Sequence, residues 1–221
     1  QREEYQVPIE RLEYVTCHNV RDLVGIERVK DVIYLDVSGN NLVEVPATIS
    51  SLKKLRTVNL ANNRFREVPT ALFSLKNLEE VILSNNQIEY VSPDIAKLQQ
   101  LRRLDVSGNK IIELGSGVPK LQHLQHLSVS TNRITNLPEL RSLIQLSSLD
   151  VSNNQLGELP DLTAVPLEYF AANGNILGNA EVETKNQRFS IEQSYYLKTV
   201  QTGMLVEVNE SWPTFSDDLY Q

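Results

Sequence analysis

The chain has 221 residues, 41% of them hydrophobic, and 28 acidic against 21 basic side chains leave a formal charge of −7. That balance disfavours nucleic acid and anionic membrane surfaces as partners, since both need clustered Lys and Arg and no basic stripe compensates. One cysteine and three histidines provide no internal disulfide, no CxxC pair and no spaced metal-ligand set, and the GxxxxGK, GxGxxG, GxSxG and HExxH signatures are missing, so no cofactor, metal or catalytic residue is expected.

Residues 32–177 carry one phrase, LxxLxLxxNxL, seven times. Its copies start at Val32, Leu55, Leu78, Leu101, Leu124, Leu146 and Leu167, 23 residues apart at first, then 22 and 21. A period of that length marks a solenoid in which each copy is one coil stacked on the last. Alternation within the phrase, as at Leu104 and Val106, sends both side chains to one side of a short strand, and the strands stack in parallel. Where the chain turns out of each strand stands an asparagine: Asn40, Asn63, Asn86, Asn109, Asn132, Asn154 and Asn175. An amide side chain both donates and accepts, so this series reads as a structural ladder satisfying buried backbone groups, not as seven catalytic amides.

Carried backwards, the period predicts a cap and degenerate first coil over 1–31, with Ile9, Leu12, Tyr14 and Cys17 inward and Ile26 and Val29 matching Ile49 and Leu52. Cys17 then stands at the asparagine position, buried and structural; His18 beside it is adjacent in sequence only. The back of each coil has its own pattern. Val45-Pro46-x-x-Ile49-x-x-Leu52 and Val68-Pro69-x-x-Leu72-x-x-Leu75 put apolar residues at spacings of four and three, which fits a short helical or 3₁₀ stretch entered through proline. Leu137-Pro138-x-Leu140 and Leu159-Pro160-x-Leu162 are trimmed versions, so the back should thin towards the C-terminus.

Seven such copies resemble the intracellular leucine-rich repeats whose convex half reads LPxxIxxLxxL, as in the Ras-suppressor and Scribble type of protein. The resemblance implies an α/β leucine-rich-repeat solenoid: a right-handed horseshoe with a parallel concave sheet and short helical, 3₁₀ or extended convex segments. It also implies a scaffold that grips a protein partner on the concave sheet, in intracellular signalling. Repeats of this class occur in polarity scaffolds, phosphatases, kinases and ubiquitin ligases alike, so an alternative is the recognition part of a multidomain enzyme.

The positions between the consensus residues face outward on the strands. They read Tyr34 and Asp36, Thr57 and Asn59, Glu80 and Ile82, Arg103 and Asp105, His126 and Ser128, Ser148 and Asp150, Tyr169 and Ala171, flanked by Arg56, Glu79 and Arg102. At about 4.8 Å per strand, seven coils make a strip on the order of 30 Å long, ample for roughly 800 Å² per partner. The middle combines Glu79, Glu80, Arg102, Arg103 and Asp105 with an outward Ile82. Arginine at a patch centre is a typical anchor, and Tyr34 and Tyr169 are secondary ones; alternatively the opposite charges pair across the ladder as solvated decoration. His126 falls on a strand and His123 in the turn before it, which disfavours a shared metal site.

The repeat breaks after Leu177, leaving 178–221 as cap and tail. A last coil exposes its core edge, and Phe189, Ile191, Tyr195, Tyr196, Leu197, Met204 and Leu205 offer apolar surface to cover it. Met204–Val208 has strand-like composition. The acidic, aromatic segment from Ser211 to Tyr220, with Trp212 and Phe215, is either a linker or an element for homodimer docking. With one cysteine, no signal peptide and no membrane-spanning run, a cytoplasmic protein without membrane insertion is expected. The sequon Asn209-Glu210-Ser211 points the other way and carries little weight, such tripeptides being common. The opening Gln1, in place of methionine, fits a piece of something larger.

Overall fold

A computed structural model describes residues 8–191 and 197–201. Its strands, in chain order, are β1 (Tyr14–Thr16), β2 (Tyr34–Asp36), β3 (Thr57–Asn59), β4 (Glu80–Ile82), β5 (Tyr90–Val91), β6 (Arg103–Asp105), β7 (Glu113–Leu114), β8 (His126–Ser128), β9 (Ser148–Asp150), β10 (Tyr169–Ala171), β11 (Ala180–Glu183), β12 (Gln187–Ile191) and β13 (Leu197–Gln201). Eight of them form one parallel sheet in the order β1-β2-β3-β4-β6-β8-β9-β10. The register runs Tyr34, Thr57, Glu80, Arg103, His126, Ser148, Tyr169, which keeps every outward residue in line with its counterpart on the next coil. The middle residue of each strand, from Leu35 to Phe170, is buried; its two neighbours from β2 to β9 are not. A fully inward alternation with polar residues on one face only is what a sheet with one covered side requires.

Five 3₁₀ stretches occupy the backs of successive coils: Ile26–Arg28, Ala47–Ser51, Thr70–Ser74, Pro93–Lys97 and Val118–Lys120. Each hides one aliphatic side chain, Ile49, Leu72, Ile95 or Val118, at 0% exposure in the longer coils. The coils built on Leu140 and Leu162 carry no helix, so the back does thin where the period falls to 22 and 21. Between front and back runs a second, two-stranded parallel ladder of β5 with β7, extended by isolated bridges Glu67 to Tyr90 and Glu113 to Asn136. Gly115 and Gly117 allow the close stacking there: a Cβ on them would lie 2.1 Å from the Val91 carbonyl oxygen and 2.2 Å from that of Pro93.

The first coil departs from the expected register. Tyr14 pairs with Tyr34 and Thr16 with Asp36, a step of 20 rather than 23, so Val15 and Cys17 stand where Leu35 and Val37 do. Tyr14 therefore faces outward at 72% exposure, and Ile9 is 41% exposed rather than inward. Leu12 packs against the core as expected, and Ile26 and Val29 are buried as expected, with the Val29 N–H on the Ile26 carbonyl as Leu52 is on Ile49. Three residues are missing between strand and back, because the turn after Cys17 closes at Val20 without a ladder asparagine, Asn19 taking only the left-handed position at φ 57°. Cys17 is half-buried at a valine position.

All seven asparagines act as one ladder. Asn109 Nδ2 reaches the carbonyls of Val106, Ser107 and, one coil back, Leu83 at 2.9–3.1 Å, while its Oδ1 accepts the Ile88 N–H at 2.9 Å. Asn63, Asn86, Asn132, Asn154 and Asn175 repeat the pattern, and Asn40 closes it onto the Cys17 carbonyl and the Val20 N–H. The residue before each asparagine is in the left-handed region, at φ 53–67°. Glycine or asparagine holds that position in every full coil except one, where β-branched Thr131 does at φ 55°.

At the C-terminal end β11, β12 and β13 form a separate antiparallel sheet. Val182, Phe189 and Ile191 join the core, and Phe189 meets Phe170 edge-on with ring centroids 5.6 Å apart. Ala171, expected outward, is 8% exposed at this covered end. Tyr195 and Tyr196, the strand expected over Met204–Val208, the sequon, and the proposed docking residues Trp212 and Phe215 lie outside the described residues.

Asn109→Ala should cost about 1–3 kcal/mol, the penalty of leaving buried backbone groups unpaired, and denaturant unfolding measures it. Thr131→Asn should add about 1 kcal/mol by removing a β-branched side chain from left-handed backbone, seen as a higher Tm.

Candidate functional site

The outward row of the concave sheet has two layers of function. Asp36, Asn59, Asp105 and Asp150 stand at the strand ends, and each accepts with its Oδ1 the N–H two residues on: Ser38, Ala61, Ser107 and Ser152, at 2.8–3.1 Å. This side-chain turn ends the strand. Asp36 and Asp105 each turn the second carboxylate oxygen to a neighbour on the strip. Asp36 Oδ2 takes the Tyr34 hydroxyl at 3.2 Å and the Asn59 amide at 3.1 Å. Burial alone would raise the Asp36 carboxyl, but hydrogen bonds from Ser38, Asn59 and Tyr34 outweigh it and hold the group below its ordinary value. Burial, then the charge of Asp36, pushes the Tyr34 hydroxyl up.

Further along the strip the charges satisfy one another. Glu79 bridges Arg56 and, at 3.7 Å, Arg102; Arg103 stands 3.9 Å from Asp105. These pairs are surface-exposed, worth roughly 0–1 kcal/mol each. Glu80 has no ion pair among the described residues, and Ile82 between Asn59 and Asp105 is half-buried rather than free in solvent. Both stay within the strip that the sequence marks out.

The relief lies on the C-terminal side of that middle. A depression of about 160 Å³ opens between Arg103 and Tyr169, floored by the strands at Leu104 and Leu127, whose side chains are buried on the opposite face, and walled by Asp105, His126, Ser128, Ser148 and Asp150. Small serines stand between large neighbours, and that contrast in side-chain size makes the hollow. Tyr169 is 54% exposed on its rim, its hydroxyl pushed up by partial burial and then by Asp150. Arg103, Asp105, His126, Ser128, Asp150 and Tyr169 are thus brought together, whereas Tyr34, Asp36, Arg56, Asn59, Glu79, Glu80, Ile82 and Arg102 lie outside the hollow.

Two features escaped the repeat reading. Tyr14, taken for an inward residue, faces out and stacks on Tyr34 at 6.2 Å, which makes an aromatic pair at the N-terminal end of the face. A basic column also exists, contrary to expectation: Arg64, Lys110 and Arg133 each follow a ladder asparagine, and each donates its N–H to the preceding coil, at Leu42, Ile88 and Ile111. Aligning the coils one above another would have exposed both the column and its spacing in multiples of 23. Among the described residues no three His, Cys, Asp or Glu side chains converge on a metal position, and no helix is long and apolar enough to cross a membrane. His123 sits in the turn, its Nδ1 2.8 Å from the Gln99 carbonyl oxygen, away from His126 on β8.

Residues 53–111 and 99–156 match the leucine rich repeat family. The chain folds as a leucine-rich-repeat solenoid. Its solenoid is similar to a leucine-rich-repeat protein of Leptospira interrogans, with 27% identity and a TM-score of 0.58 over 68% of this chain and 45% of that one. It is similar also to the plant peptide hormone receptor RGFR1 in complex with RGF2, at 27% and 0.60 over 68% of this chain and 26% of the receptor. An internalin from Listeria monocytogenes shares the fold at 23% identity and a TM-score of 0.66, covering 76% of this chain and 48% of the internalin. The leucine-rich-repeat chain spans less than half the length of each of these structures. No curated protein matches it.

Cys17 gives the site's N-terminal end a chemical readout. Burial first, and then the charge of Asp36, raises its thiol, so less thiolate is present at any given pH. Labelling by a bulky maleimide at pH 8 should be slower for the native than for the denatured protein and should keep rising with pH past the ordinary thiol range. Asp36→Asn should speed the native reaction, and an equal rate in both variants would remove the electrostatic contribution.

Proposed function

We propose that this protein is a non-catalytic recognition module that holds a protein partner on its concave sheet, seated in the hollow between Arg103 and Tyr169. The observation that carries the reading is that hollow: a concave recess with an exposed tyrosine and an arginine on its rim, and His126, Ser128, Ser148 and Asp150 supplying donors and acceptors. Aromatic and arginine side chains around a recess are the usual anchors of a protein contact. Tyr34, Asp36, Arg56, Asn59, Glu79, Glu80, Ile82, Arg102 and Asp105 extend the same strip towards the N-terminus and would contribute register and charge complementarity more than affinity. Similarity to a peptide hormone receptor captured in complex lends support to recognition of a polypeptide by a solenoid of this type.

The same proposal sets the module inside the cell, in signalling. Its support is the single unpaired cysteine, Cys17, and a described C-terminal cap that is closed by apolar packing and strand pairing with no disulfide. The intracellular LPxxIxxLxxL pattern in Val45-Pro46 and Val68-Pro69 points the same way.

The test compares two faces. With a partner recovered by affinity capture, Arg103→Glu combined with Tyr169→Ala should weaken binding by about 2 kcal/mol or more in calorimetric titration. Lys53→Glu with Lys120→Glu, on the convex side, should leave it within about threefold. Circular dichroism confirms that each variant is folded. Loss in the convex pair with retention in the concave pair would overturn the concave seat.

A further inference from the structure

The flank of the solenoid, beside the asparagine ladder, differs electrostatically from the concave face. On the concave sheet Arg56, Arg102 and Arg103 each find a carboxylate of this chain. On the flank Arg64, Arg66, Lys110 and Arg133 have no ion pair and no side-chain hydrogen bond among the described residues, although the molecule as a whole carries a formal charge of −7. Grouped on one side of a chain with excess acid, these four cations make a local positive field.

Their positions are set by the backbone. Phe65, Ile111 and Ile134 point into the core at 0–1% exposure, so the residues on either side of them, Arg64 and Arg66, Lys110 and Ile112, Arg133 and Thr135, point out. The N–H of each residue after the ladder asparagine bonds to the coil before it, which stacks Arg64, Gln87, Lys110, Arg133 and Gln155 into one column with no acid in it. Ile112 lies beside this column at 57% exposure. Beside the column run two mixed registers, Arg66, Glu89, Ile112 and Thr135, then Glu67, Tyr90, Glu113 and Asn136, and among the described residues none of these glutamates forms an ion pair with the basic column.

We infer that this flank is a second docking surface, for an extended acidic segment of a protein partner lying along the solenoid axis. From Arg64 to Arg133 is three coil steps, about 14 Å at roughly 4.8 Å per coil, which matches four or five residues of extended chain at about 3.3 Å each. Glutamine at the two intervening and following positions can donate to the segment's backbone, Ile112 offers it an apolar contact, and the neighbouring glutamates repel it sideways and so keep it on the basic column. A nucleic acid or an anionic membrane is the poorer occupant, because the negative charge of the whole molecule opposes a long polyanion or an extended surface while leaving a short acidic peptide to the local field. This inference does not rest on the concave reading, since it uses a different face and different residues.

The experiment follows fluorescence anisotropy of a fluorescein-labelled hexaglutamate peptide titrated with the 221-residue protein at low salt. The expected result is saturable binding that weakens as salt is added and falls by about tenfold or more in R64E/K110E/R133E, while R56E/R102E on the concave sheet stays within about threefold. The neutral variant R64Q/K110Q/R133Q should lie between, and circular dichroism shows that each protein is folded. No binding by the unmodified protein overturns the inference, as does equal loss in the concave variant. Tighter binding of an oligothymidine or of phosphatidylserine vesicles, abolished by R64E/K110E/R133E, would assign the flank to a different class of ligand and overturn it as well.

Discussion

The fold depends on one recurrent hydrogen-bond set, the amide of a single asparagine tying its own turn to the coil before. Strand pairing alone joins adjacent coils through three residues, which is little for a stack this long. The asparagine adds the turn: its Nδ2 holds carbonyls on two coils, and its Oδ1 takes a backbone N–H that would otherwise be buried without a partner. Because the ladder needs the preceding residue in left-handed backbone, Gly39, Gly108 and Gly174 or Asn62, Asn85 and Asn153 stand there. Thr131 is the exception, and it lies beside Asn132, one of the two ladder amides from 40 to 175 that are only half-buried.

With fold stability carried by the interior and the ladder, the outward side chains are left to other uses, but unequally. Strand-end Asp36, Asn59, Asp105 and Asp150 still serve the backbone through one oxygen, and Asp36 and Asn59 bond each other with what is left. Glu79 lies between Arg56 and Arg102 and offsets one of their two charges. What is least committed on the concave side is the group around the hollow, chiefly His126, Ser148 and Tyr169, with Arg103 held only by its 3.9 Å pair to Asp105, and on the flank the basic column.

Much of this was legible in the sequence, for a physical reason. A solenoid repeats its environment, so the period of 23 and the alternation around Leu104 and Val106 determine which side chains go in, and the strands from Tyr34 to Ala171 fall where the phrase puts them. The first coil misled because periodicity was extended through a turn that lacks the asparagine. Without that amide the chain closes three residues sooner, and Tyr14 changes sides, since a strand shifted by an odd number of residues exchanges its faces. Ala171 stands in the outward row as read, opposite Asp150, yet is buried, because exposure depends on neighbouring volumes that the period does not carry.

The location of the hollow was beyond one-dimensional reading for a further reason. Periodicity tells inward from outward but says nothing of relief, which comes from side-chain volume compared across strands rather than along them. Ser128 and Ser148 are unremarkable as single residues; set between Arg103, His126 and Tyr169 on neighbouring coils they become the floor's open side. The basic column is the same kind of fact, invisible along the chain because 46 residues separate Arg64 from Lys110, and plain once the coils are laid over one another. In a repeat protein the functional unit is therefore the column across coils, and a charge or a change of size there matters through its neighbours one period away rather than through those beside it in sequence.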